Sequence, residues 1–405
     1  MAATGLRTML LVRSAAGYRR PAAPGRQALS LLLAAILANV TAVGANASHP
    51  TAAYPANPAV AESLVCVADE GIHCLERDAL RPAWSALHGT HTLEPVIAGD
   101  RLFVGTSEGV YALALRTGAI LWHHAADGLT FSPTVAATRA YISDRRGRLT
   151  ALDVATGEPA WQREFRGWSY PPAALEDVLV TGGRSRIVRG LDPDSGRTLW
   201  RLDLGSELVY RPIDAGSYAL VTTFAGQVAA IGRGGRIAWR TSDPVASITP
   251  AIAGERALFG GLDGAVRARS SKDGELLWTQ EIGSRIPSPP SIGPNHAALV
   301  DRDGRAAVLR LSDGRLEAVA DLRGAIGVPI RVRDGAWIVF HRTAEGDIDH
   351  RTLVPAHASS AAQTARRGAG PGQALPAIRA SRDAAIHYAG PDAGFYRHSK
   401  VKERP

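Results

Sequence analysis

A chain of 405 residues, 45% of them apolar, can bury a large core, and its 42 glycines and 25 prolines favour many short strands over long helices. The formal charge of +8 is no sign of a nucleic-acid partner. Residues 1–47 hold five arginines and no acid, residues 355–405 hold eight basic and three acidic residues, and the stretch 48–354 is left at −2, without the basic body that a nucleic-acid footprint requires.

The chain opens on a basic stretch, Arg7 to Arg26, followed by the apolar run Ala28 to Val43 and the small-x-small triplet Ala45-Asn46-Ala47. This is the layout of an export signal over residues 1–47, and it places the chain in the periplasm or outside the cell. The apolar run is shorter than the ~20 residues a membrane span prefers. An uncleaved N-terminal anchor is the alternative, and the only membrane contact expected. Arg19-Arg20 runs straight into Pro21, a poor twin-arginine signal, and no cysteine follows the apolar run to take a lipid. Residues 48–57 read as a linker.

The two cysteines, Cys66 and Cys74, flank the turn sequence Asp69-Glu70-Gly71. Equidistant from that turn, they could face each other across a hairpin and oxidise in an exported protein. Two small buried thiols packing as apolar residues are the other reading.

From residue 84 onward a repeat dominates. Trp122, Trp161, Trp200, Trp239 and Trp278 are thirty-nine residues apart, and Trp84 precedes Trp122 by thirty-eight. Five of the six have glycine four positions earlier (Gly118, Gly157, Gly196, Gly235, Gly274), whereas Trp84 has Leu80. Proline follows eleven residues later at Pro95, Pro133, Pro172, Pro250 and Pro289, and one further along at Pro212. The unit from Pro133 to Trp161 reads as four strands: Pro133–Val135, Arg139–Ser143, Leu149–Asp153 and Glu158–Trp161. Glycines allow the tight reversals between them, and Asp, Ser or Thr beside the turns can bond to the turn backbone. The tryptophan, a large apolar body with one N–H donor, is suited to filling the gap between neighbouring units.

About 40 residues and four short strands make one blade of a propeller, and only a ring of blades buries both faces of each sheet. The expected fold is therefore all-β: a single propeller over residues 58–354 with eight four-stranded antiparallel blades, or seven. Outer strands are expected to end at residues 84, 122, 161, 200, 239, 278 and 318, with Ala318 where tryptophan belongs, and Pro329 to Leu353 reads as three further strands. The first and last blades are expected to pair and close the ring. Residues 355–405, rich in Ala, Gly, Pro, Arg and Ser, read as a disordered tail.

The segment Ala151-Leu152-Asp153-Val154-Ala155-Thr156-Gly157-Glu158-Pro159-Ala160-Trp161 resembles the A-L-D-x-x-T-G-x-x-x-W repeat of quinoprotein-type (PQQ-like) propellers, with similar copies at 112–122 and 268–278. The core resembles that of the BamB-type binding propellers in repeat and blade count. The resemblance carries two different implications. Quinoprotein dehydrogenases of this fold hold pyrroloquinoline quinone and calcium on the axis, with a catalytic Asp and often an adjacent-cysteine disulfide. This chain has no adjacent cysteine pair and none of their long insertions. BamB-type propellers are instead partner-binding subunits.

Other motifs that could carry chemistry have plain structural readings. His88-Gly89-Thr90-His91 lies in a loop without a supporting ligand cluster. His123-His124 are neighbours on a strand and point to opposite faces. Asp301-Arg302-Asp303-Gly304 stands where the repeat puts an ordinary hairpin turn. Trp168 is off the repeat period, in the loop that also holds Tyr170, and Tyr210 and Arg211 stand at the start of another inner strand. Those four are the candidate rim contacts, since Trp, Tyr and Arg dominate binding hot spots.

The function expected is an exported, monomeric, non-catalytic scaffold that binds an envelope protein or a small ligand, with no cofactor and no catalytic or metal-binding residues. The alternatives are a dehydrogenase dependent on quinone and calcium, and a surface sensor or carbohydrate-binding module.

Overall fold

The computed structural model describes residues 57–248, 250–322, 329–331, 335–342 and 348–355. The expected export segment, all of the expected linker but Asn57, and residues 356–405 lie outside them. The described chain is all β, in sheets that each keep to consecutive strands, and every strand pair is antiparallel. Seven sheets have four strands: they span 59–86, 96–125, 134–164, 173–203, 213–242, 251–281 and 291–321. The eighth, over 330–353, has three described strands. In the third blade the strands are Thr134–Ala136, Arg139–Ser143, Arg148–Asp153 and Pro159–Glu164, within a residue or so of the expected unit except that the outer strand runs on to Glu164.

Eight buried clusters join the sheets into a ring, one at each interface. Phe103 and Val110 of the second blade pack with Ala140 and Leu152 of the third. The same arrangement recurs around the ring to Val300 and Val308 of the seventh blade, which pack on Trp337 and Val339 of the eighth. The eighth cluster closes the circle: Ile330, Ile338 and Phe340 meet Val65, Val67 and Leu75 of the first blade. First and last blades therefore meet through side chains, each keeping its own sheet.

The repeat tryptophans hold these interfaces by one recurring geometry. Each sits opposite a small residue on its own third strand: Cys74, Ala112, Ala151, Gly190, Ala230 and Ala268 face Trp84, Trp122, Trp161, Trp200, Trp239 and Trp278. Just beyond that pair the register shifts by one residue, the same bulge in all seven four-stranded blades. The indole then lies over the glycine of the next blade's last turn. A Cβ added at Gly157 would come within 2.6 Å of the Trp122 ring, and φ there is +75°. Gly118, Gly196, Gly235, Gly274 and Gly314 receive the indoles of Trp84, Trp161, Trp200, Trp239 and Trp278 in the same way. Each indole N–H also donates to a main-chain carbonyl of that turn, from Trp122 to Val154 at 2.9 Å and from Trp161 to Pro193 at 2.8 Å.

The turn itself is held by its motif residues. Asp153 Oδ1 accepts from the backbone N–H groups of Ala155 and Thr156. These bonds to the ionised form hold the Asp153 carboxyl below the usual carboxylate range. The alanine, aspartate, threonine, glycine and tryptophan of the repeat are thus parts of one joint. Cys66 and Cys74 are direct partners across the first hairpin and are joined as a disulfide. Asp301 is a turn cap: its carboxylate accepts from the N–H groups of Asp303, Arg305 and Ser284.

The joint predicts a coupling. Trp122→Ala is expected to cost about 3–5 kcal/mol, and Gly157→Ala to destabilise through both the clash and the left-handed backbone. In the double variant the clash is gone and the added cost at 157 falls to about 1–2 kcal/mol. Urea unfolding of the four proteins measures this, and strictly additive losses would contradict the joint.

Candidate functional site

Strand direction alternates within each blade, so loops entering the inner strands and turns between second and third strands emerge at the same end of the ring. The indole–glycine joints occupy the other end. Glu94, Trp168, Tyr170, Tyr210 and Arg211 stand in the entering loops, and Arg145, Arg184 and Phe224 in the turns. The structure brings this set together.

The first group crosses the ring. Glu94 precedes the inner strand of the second blade and Arg211 that of the fifth, three places away, yet they form an ion pair at 2.8 Å. Such a contact has to span the axial opening. Burial alone would lower the Arg211 pKa, but Glu94 and Tyr210 beside it leave the guanidinium more firmly protonated. Burial, reinforced by Glu94, pushes the Tyr210 phenol well above its ordinary range. Tyr170 packs tilted against Tyr210 with ring centres 5.6 Å apart and against Phe131 at 5.5 Å, and its hydroxyl donates to the Val209 carbonyl at 3.1 Å. Three consecutive blades are thereby tied at the mouth by aromatic contacts.

The second group climbs over the same blades further out. The Arg145 guanidinium lies 4.6 Å from the centre of the Trp168 ring, and that of Arg184 lies 5.2 Å from it and 4.5 Å from the Phe224 ring. Arg184 also pairs with Glu207 at 3.5 Å. Burial and the nearby Arg145 charge keep the His91 pKa below the imidazole norm. Among the described residues the Trp168 indole N–H donates to no acceptor, whereas the six joint tryptophans each donate to a main-chain carbonyl. Phe224 is 40% exposed.

The four expected rim residues thus divide. Trp168 is half-buried and presents part of its ring. Tyr170 is only 4% exposed and packs within the wall, so it is no contact residue. Tyr210 and Arg211 are engaged with each other and with Glu94. Glu94, Arg145, Arg184, Glu207 and Phe224 were missed, because isolated charges in turns carry no periodic signal. His123 and His124 do not act together: His123 stacks on Tyr111 at 3.9 Å between ring centres. Among the described residues no group of three or more His, Cys, Asp or Glu is placed to hold a metal ion. The carboxylate at the axial mouth, Glu94, is already taken by Arg211. These residues do not match the oxygen donor set that calcium takes.

A family model described as outer membrane protein assembly factor BamB matches residues 108–185 and 183–336. BamB of Yersinia pestis is 25% identical over 169 residues, 37% of this chain and 43% of that protein. Polyvinylalcohol dehydrogenase of a Sphingopyxis species is 39% identical over 84 residues, 18% of this chain and 13% of that enzyme. The chain thus matches less than half the length of either relative. The crystal structure of BamB from Moraxella catarrhalis superposes with a TM-score of 0.59 at 19% identity, covering 74% of this chain and 96% of that one.

The axial tyrosine sets an alkaline limit. With its pKa raised in the fold, Tyr210 contributes stability that is complete below the ordinary value of 10.0 and is lost as pH rises through the folded value. Stability of the wild type is expected to fall between about pH 9 and about pH 12 more steeply than that of Tyr210→Phe. Equal slopes in urea unfolding would remove Tyr210 as a source of the limit.

Proposed function

The chain belongs to the family of PQQ-repeat propellers represented by the outer membrane assembly factor BamB, and from that premise we propose that it is an exported, non-catalytic propeller that binds a protein partner in the cell envelope. The partner docks on the end of the ring that carries Trp168, Arg145, Arg184 and Phe224. The observation that carries this reading is the ion pair across the axial mouth. The Glu94–Arg211 pair occupies the place where an axial ligand would enter from this end, so recognition falls to the surface around it. Loops on a rigid frame are free to specialise for contact while the strands hold them still. The BamB relatives, named as assembly factors of the outer membrane, support a partner of that machinery. Residues 1–47 supply the export signal, and no cofactor is required.

The match to polyvinylalcohol dehydrogenase favours a second reading, a quinone-dependent oxidoreductase. One experiment separates them. The full chain, expressed with its leader, is captured from a cross-linked native envelope and is expected to bring down outer-membrane assembly components. In parallel, the purified protein receives pyrroloquinoline quinone and calcium. Stoichiometric quinone uptake with dye reduction, and no assembly component captured, would reverse the assignment.

A further inference from the structure

The indole–glycine joint is missing from the two seams that flank the eighth blade. The chain has eight tryptophans, and beyond the six joint residues only Trp168 and Trp337 remain. On the seventh blade Ala318 stands opposite Val308, where the other blades place the indole. Residues 338–405 hold no tryptophan that could reach from the eighth blade to the first. The first blade in turn has Leu80, not glycine, at the receiving position.

Apolar side chains fill both seams instead. Trp337 and Val339 lie against Ala298, Val300, Ala306 and Val308 of the seventh blade. By its strand register Trp337 takes the place that Ala140 has in the third blade. The indole thus comes from the facing blade and fills the space, but without the joint's hydrogen bond. Trp337 is 1% exposed, and its N–H is buried with no acceptor among the described residues. A buried donor left unpaired weakens the contact it sits in. At the other seam Ile330, Ile338 and Phe340 meet Val65, Val67 and Leu75, a burial with no directional bond in the cluster. The sheet between the two seams has three described strands and apolar side chains on both faces. With both faces uncovered, so small a sheet is not stable by itself.

We propose that the eighth blade is a strap: it leaves the ring as one cooperative unit and unfolds as it goes, while the first seven blades stay joined as an arc by their six indoles. Its release uncovers Val65, Val67 and Leu75 on one side and Ala298, Val300 and Val308 on the other. The ring then opens at its flank, away from the ion pair across the axial mouth. This device stands independently of the partner-binding reading above.

Hydrogen exchange of the full wild-type chain in native buffer, read by mass spectrometry, tests this. Amides of Trp337–Arg342 and Ile348–Leu353 are expected to exchange at least about tenfold faster than those of the corresponding strands of the third blade, Arg139–Ser143 and Arg148–Asp153. Strands Leu64–Ala68 and Ile72–Glu76 of the first blade, and His296–Val300 and Arg305–Arg310 of the seventh, should keep the protection of the third blade. Introduced thiols read the uncovered face. Ala298 and Ala140 are both fully buried, one at a strap seam and one at a jointed seam, and the native cysteines are joined to each other. A maleimide should label Ala298→Cys at least about tenfold faster than Ala140→Cys. The exchange measurement needs no substitution, so a variant that fails to fold leaves the test intact. Equal exchange in the eighth and third blades would overturn the proposal. So would loss of protection in the first blade together with the eighth, the sign of a fraying end, or equal labelling of the two thiols.

Discussion

An indole held between a small residue behind it and a glycine ahead of it is the contact on which the ring depends. Behind Trp161 is Ala151, on its own blade, and ahead of it is Gly196, on the next. Neither position tolerates bulk, because the ring fills the space a Cβ or a larger side chain would need. The N–H bond to the next blade's turn then fixes the orientation as well as the contact. Apolar burial alone is non-directional, but a flat ring with one donor and one fitted seat defines an angle between blades. Repeated at six interfaces, that angle brings the eighth sheet round to the first.

The joint also accounts for its own exceptions. The eighth sheet has no fourth strand among the described residues. Among the described residues it therefore offers the seventh blade no last turn with a receiving glycine, and sends the first blade no indole. On the seventh blade Ala318 replaces the tryptophan, and its partner on the third strand is Val308, larger than the alanine or glycine usual there. On the first blade the receiving position is Leu80, at φ +53°, packed against the closing cluster. Bulk removed on one side of each contact reappears on the other, so close packing is kept without the joint.

With one end of the ring committed to joints, the other is free to carry recognition. Its centre is braced by Glu94 and Arg211 across three blade positions, and the tilted rings of Tyr210, Tyr170 and Phe131 pack into the wall beneath. Around that brace the arginines are held on aromatic rings, which restricts side chains that would otherwise lose much rotamer freedom on binding. The arrangement suits a surface that must present charge in a fixed pattern, and it leaves the frame unchanged when turn residues vary.

The phase of the tryptophans and glycines made the blades and their four strands legible, because each unit repeats the same local demand on residue size and backbone angle; the bulge and the full length of the outer strand were not. The sequence also marked Trp168 as different, since it falls outside that phase. It did not reveal that Tyr170 is enclosed, that Arg211 meets Glu94, or that Arg145, Arg184 and Phe224 gather round Trp168. Those residues lie on different blades, separated by 39 to 117 positions along the chain for the pairs Arg145–Arg184 and Glu94–Arg211. A periodic local requirement is written in every copy of the repeat. A meeting of single residues across the axis exists only once the ring has closed, and the distance between them is set by the curvature of the whole.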